Sequence, residues 1–259
     1  MRCPDAKEAD ASVVAKPASV SQSRSPEHAG DRASPAWLPL LLLFLSGLFL
    51  VLGVWQLQRL HWKTDLIAQV QANTKSERVW VSRAHDLKVF SSQAEAYRQV
   101  TVRGKADCSK ALPVWASTAL GTGYWWMVPV ELSDGSWLWL NRGYVSAGFV
   151  KSARASDHEY RRSDACGQIS VSGLLRLTQT GGGFLRANDS NQGRWYSRDV
   201  VAMAQAQGLL QVNPLWFVDE WPAVENTSPD RRPVPGLTPL TWPNRHLDYA
   251  LTWFSLSLM

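Results

Sequence analysis

The sequence predicts an α+β chain: a β-dominated domain tethered by an N-terminal transmembrane helix and followed by a short, incomplete membrane helix at the C-terminus. Three observations lead there. Residues 37–57, WLPLLLLFLSGLFLVLGVWQL, carry no charge. Beyond them, alternating apolar stretches broken by Gly and Asp-Gly signals continue to about Trp221. The chain then ends on NRHLDYALTWFSLSLM, which reads as a helix entering a membrane and stopping before it crosses.

Residues 1–36 are rich in Ala, Ser, Pro and charge and lack a periodic apolar pattern, so they predict a disordered tail. Their five acidic residues are wrong for a mitochondrial transit peptide. As a helix, residues 37–57 would be roughly 31 Å long, the thickness of a bilayer's hydrocarbon core. Trp37 and Trp55 stand near its ends, where an aromatic belt belongs. The run is long for a signal peptide, and GVWQLQRLHWK offers no small-residue cleavage site, so a retained anchor is expected. Two basic residues flank each side (Arg24 and Arg32, Arg59 and Lys63), which leaves the orientation open on charge alone.

Residues 58–221 predict the β-rich domain. AYRQVTVRG alternates and ends on Gly, YWWMVPVEL and WLWLNRG flank a Ser133-Asp134-Gly135-Ser136 hairpin turn, and QISVSGLLRL and PLWFVDE add two strands. Between the last two, YSRDVVAMAQAQGL predicts a short helix with Ser197 as N-cap and Gly208 as its stop. Six prolines in residues 222–243 predict an extended strap leading to a final helical segment, residues 244–259.

Composition narrows the function. A net charge of +5 without a dense basic block argues against nucleic-acid binding. The three cysteines lie outside any CxxC pattern; Cys108 and Cys166 pair if their domain faces an oxidising compartment and are otherwise separate thiols. GTGYWW lacks the third glycine of a dinucleotide loop, and HEYRR at His158 lacks the second histidine of HExxH, so no enzyme class is indicated. The loop TGGGFLRANDSNQGRWYSRDV has two readings. Arg186, Arg194 and Arg198 form an anion-recognition surface suited to carboxylates such as haem propionates, or they pair with Asp189 and Asp199.

Taken in order, GVWQLQRLHWKTDLI, YRQVTVRG, GYWWMVPVELSDGSWLWLNRGYV, RWYSRDV and NRHLDYALTWF closely resemble the surfeit locus protein 1 family of cytochrome c oxidase assembly factors. The resemblance covers about residues 53–256. It implies a bacterial cell inner-membrane protein whose β-dominated domain is extracytoplasmic, on the periplasmic side. The implied partners are oxidase subunit I, other oxidase assembly factors and the lipid bilayer; the implied cargo is haem a, transiently bound. Family members usually carry the final helix across the membrane, whereas 13 residues after His246 reach only roughly 20 Å.

The family's haem-associated histidine lies in an HLxYA motif and maps onto His246, which the resemblance makes the candidate ligand of haem iron; from the residues alone it also reads as an interfacial polar residue at a helix mouth. Pro243-Asn244 reads as a helix start with Asn244 as N-cap, which places His246 in the first turn on a face shared with Tyr249 and Trp253. Tyr249 and Trp253 are expected to cover a macrocycle face. Trp55, Arg59 and Trp62 share a face just beyond the anchor. They read either as interfacial residues with a snorkelling arginine or as a docking surface for haem or the final helix, with His61 a second ligand candidate.

Overall fold

A single helix, α1 (Trp37–Lys75), carries the apolar run and continues well past it. Residues 58–75 contain no Pro or Gly, and their apolar side chains recur at helical spacing (Leu60, Ile67, Val70), so nothing stops the helix where the lipid-compatible stretch ends. Among the described residues it is the one helix long and apolar enough to cross a membrane. The computed structural model describes residues 37–90, 93–155, 166–183, 186–221 and 233–259. The expected tail, His158 and the first part of the strap lie outside them. The chain divides after Leu45 into two units, and every contact below belongs to the second, Ser46–Met259.

The domain is α+β, with seven strands in one mixed sheet: β1 (Val79–Val81), β2 (Gln99–Ala106), β3 (Leu112–Thr118), β4 (Gly121–Glu131), β5 (Trp137–Val145), β6 (Gly167–Leu177) and β7 (Val212–Glu220). Helix α2 (Ala147–Ala155) follows β5, and α3 (Val200–Ala206) precedes β7. The strand order is β1-β2-β6-β7-β5-β4-β3, and β2 also pairs with β4 through Lys105–Glu131 and Ala106–Val130. That extra pairing closes β2, β6, β7, β5 and β4 into a ring, leaving β1 and β3 as outer strands. Pairing is antiparallel except at β1–β2 and β5–β7.

Closure divides the side chains by their alternation along each strand. Val100, Val102, Val128, Val130, Leu138, Leu140, Leu175 and Val218 belong to one core. Their neighbours Met127, Trp139 and Phe217 point the other way, into a second core with Val200 and Met203 of α3. Trp139 and Trp216 are fully buried, and each indole N–H has an acceptor: Val200 O at 3.1 Å and Phe90 O at 2.8 Å. Of the fourteen tryptophans in the chain, some thus fill cores, as large rings with one polar handle can.

The Asp134-Gly135 turn joins β4 to β5 as expected, with Gly135 at φ +76°. The α3 cap differs from the expectation. Asp199, not Ser197, is the N-cap, its carboxylate accepting from Ala202 N at 3.1 Å. Ser197 is drawn away because its hydroxyl accepts from Gly182 N and Asn188 Nδ2. Cys108 and Cys166 form a disulfide with Cα atoms 5.7 Å apart, tying the turn after β2 to the start of β6.

The described part of the strap crosses β5, where Tyr144 and Val234 exchange two backbone hydrogen bonds of 2.8 and 2.9 Å. Gly143, at φ +120°, has Val234 O where a Cβ would stand, so this crossing requires glycine. The strap then leads into α4 (His246–Leu258). Asn244 does not cap α4: the N-cap is Arg245, without a side-chain bond, and the Asn244 amide faces Thr64 Oγ1 of α1 at 3.4 Å.

Candidate functional site

Helix α4 runs antiparallel to α1, and its contacts fall at a regular spacing. Lys63 Nζ donates to Pro243 O at 2.5 Å, His246 meets Gln56, Trp253 stacks on Phe49, and Ser46 Oγ donates to Ser257 O at 2.7 Å. On α1 the residues are 46, 49, 53, 56 and 63, a three-and-four repeat; on α4 they are 246, 253, 254 and 257. This is the seam of two helices packed side by side. Gly53 and Ala250 are both buried, and a Cβ on Gly53 would overlap the Phe254 ring. Small residues at such a seam let two apolar helices approach closely where no hydrophobic force separates protein from lipid.

His246 occupies the polar end of the seam, half-buried, with Nδ1 2.8 Å from Gln56 Oε1. With the amide oxygen placed against the ring, this contact is made by the tautomer that carries the proton on Nδ1. In the neutral ring the lone pair is then on Nε2, which has no hydrogen-bond partner among the described residues. An imidazole oriented by a carbonyl through one nitrogen can offer the other to a metal ion. Gln56 is the penultimate residue of the uncharged run, so His246 stands beside the end of that run.

The other expected residues divide into two sets. Trp253 joins the seam with rings 5.6 Å apart and 25° between planes, while Tyr249 lies beside it, 55% exposed. Trp55 is 52% exposed and Trp62 is 51% exposed; Arg59 lies 3.9 Å over the Trp62 ring. These three belong to a different face of α1 from the one that meets α4, and the structure does not bring them to His246. His61 is exposed and makes no hydrogen bond among the described residues. Phe49, Gly53 and Gln56 went unrecognised in the sequence. Gln56 carried a signal, being a polar side chain inside an otherwise apolar run.

The arginine loop resolves differently for each arginine. Arg194 pairs with Asp189 at 3.2 Å on the surface, and Arg186 lies over the Tyr196 ring at 5.4 Å. Arg198 does not pair with Asp199. It is buried against Asp219 of β7 at 3.1 Å, because Asp199 is committed to the α3 cap. Among the described residues no group of three or more His, Cys, Asp or Glu is arranged to hold a metal ion.

Comparison with known proteins finds relatives along most of the chain. The model of the SURF1 family matches residues 43–258. The chain is 28% identical to surfeit locus protein 1 of Rattus norvegicus over 260 residues, covering 94% of this chain and 80% of the relative. It is 29% identical to surfeit locus protein 1 of Homo sapiens over 262 residues, covering 95% and 82%. A SURF1-like protein of Caenorhabditis briggsae is 27% identical over 241 residues, covering 85% and 72%. These matches take in both the closed sheet and the α1–α4 pair.

Proposed function

The chain belongs to the SURF1 family, and from that membership we propose that it is a membrane-anchored, non-catalytic factor for cytochrome c oxidase assembly that holds haem a for delivery to subunit I. The observation carrying the haem reading is the His246–Gln56 contact, which leaves the Nε2 lone pair free at the end of an apolar helix pair. Haem iron takes an imidazole nitrogen as an axial ligand. His246 supplies that nitrogen, Gln56 holds the ring's tautomer and direction, and the exposed Tyr249 ring and the half-buried Trp253 offer apolar surface to a macrocycle. With haem as cargo, one protein ligand suits a site that must also release it.

In this reading α1 spans the membrane and the closed sheet lies on the periplasmic side of a bacterial inner membrane. The Cys108–Cys166 bond supports that side, since such bonds persist in oxidising compartments. The direct test is to purify the protein from membranes that make haem a and from membranes that do not, then record visible spectra. A Soret band only in the first supports the proposal. Its absence from both, with oxidase assembly still dependent on the gene, would overturn haem carriage and leave a scaffold for assembly partners.

A further inference from the structure

A second polar site lies away from the helix seam. A cleft of about 310 Å³ opens between the distal part of α1 (Gln69, Asn73), the segment carrying Tyr97, and the end of β6 with Arg176 and Gln179. One of its lining residues, Arg176, belongs to an ion cluster with more cations than anions. Arg176 and Arg198 both pair with Asp219, at 3.3 and 3.1 Å, so two guanidiniums share one carboxylate. Asp219 is further occupied by Asn141 Nδ2 and Thr238 Oγ1, both at 2.8 Å. The adjacent buried acid, Glu220, is paired with Arg142 at 3.0 Å. Burial lowers the Arg198 pKa against the pull of Asp219, and the neighbouring Arg176 charge acts in the same direction.

The donors left over belong to residues that line the cleft. Gln179 Oε1 accepts from Arg198 Nε at 3.2 Å, which fixes the amide and leaves its NH₂ without a partner among the described residues. Arg176 uses one nitrogen on Asp219 and has no other acceptor among them. Tyr97 adds an independent sign. It is a non-glycine residue at φ +70°, held there by Tyr97 N donating to Leu175 O at 2.7 Å. That conformation lays its ring 4.3 Å from the Arg176 guanidinium, with Trp242 edge-on at 5.9 Å. Backbone strain of this kind gathers at ligand-binding positions.

We propose that this cleft binds a small organic carboxylate, held by Arg176 and the Gln179 amide beside the Tyr97 ring. A forked guanidinium next to an amide donor matches the two oxygens of a carboxylate. The site is distinct from the His246 site: Gln69 lies 13 residues beyond Gln56, about 20 Å along the helix, farther than one macrocycle at His246 reaches. Phospholipid headgroups extend only about 5–8 Å beyond the hydrocarbon, which favours a water-soluble ligand.

The test is equilibrium dialysis of the full-length protein in detergent against labelled succinate and labelled benzoate, with inorganic phosphate and chloride at matched ionic strength. Saturable, one-to-one binding of at least one carboxylate is expected. Arg176→Gln should weaken it about tenfold or more, the loss of a charge-assisted hydrogen bond. Because Arg176 also braces Asp219, a second variant, Ala94→Trp, closes the cleft from its exposed rim and leaves the ion pairs alone; it should abolish binding. No saturable carboxylate binding, binding of phosphate alone, or binding retained by either variant in folded form overturns the proposal.

Discussion

Gln56 and His246 are 190 positions apart in the chain, yet their side chains meet at 2.8 Å, and the contact decides which imidazole nitrogen is left to act. Gln56→Leu removes the acceptor and leaves the ring free to turn or change tautomer. Haem retained per protein should fall about tenfold or more, the usual cost of losing a ligand's orienting partner. Gln56→Glu, which keeps an acceptor, should retain far more. Visible absorbance normalised to protein measures both.

Gly53 sets how closely α1 and α4 approach. A Ser46→Cys, Ser257→Cys pair should cross-link readily, since the two native hydroxyls lie 3.4 Å apart. Adding Gly53→Leu drives a side chain into the Phe254 ring and should suppress the cross-link. Equal cross-linking with and without the leucine would show that the helices do not depend on this contact.

The disulfide closes a loop with a sequence separation of 58 residues. Replacing both cysteines by serine should destabilise the domain by about 2–5 kcal/mol, mainly by freeing the unfolded chain. Denaturant unfolding of the purified protein measures it. Maleimide labelling should find neither thiol reactive before reduction.

Asp134 binds the β4–β5 turn to the segment after β1, accepting from Ala84 N at 2.8 Å and from Ser136 Oγ at 2.5 Å. The Ser136 bond, helped by the Ala84 N–H, holds its carboxyl below the ordinary value of 3.8, against burial. A depressed folded-state pKa contributes stability that is present above the unfolded value and lost as pH falls through the folded one. Stability should therefore drop below about pH 4, and Asp134→Asn should flatten that part of the curve. A melting series from pH 6 to pH 3 (roughly the window that the carboxylate titration spans) tests it, and identical slopes for both proteins would count against it.

Much of the architecture was readable because local signals and final structure agree. Asp134-Gly135 marks a hairpin by its own backbone chemistry, and the uncharged run marks a helix long enough to span a membrane. What escaped was non-local. The closing pair Lys105–Glu131 depends on two strands finding each other, and the Arg198–Asp219 pair joins residues 21 apart through the β7 register. Ser197 looks like a cap until Asn188 and Gly182 claim its hydroxyl. At the seam, the HLDYALTWF motif pointed to His246, Tyr249 and Trp253. Which face of α1 would receive them was invisible, because Trp55 and Arg59 are the more conspicuous residues there.

The most direct measurement is the visible spectrum of His246→Ala beside wild type, both purified from membranes that make haem a and compared at equal protein level. The account predicts that the wild-type Soret band is lost or shifted in the variant while its membrane level and its seam cross-link persist. An unchanged spectrum with unchanged haem content would contradict the ligand role of His246.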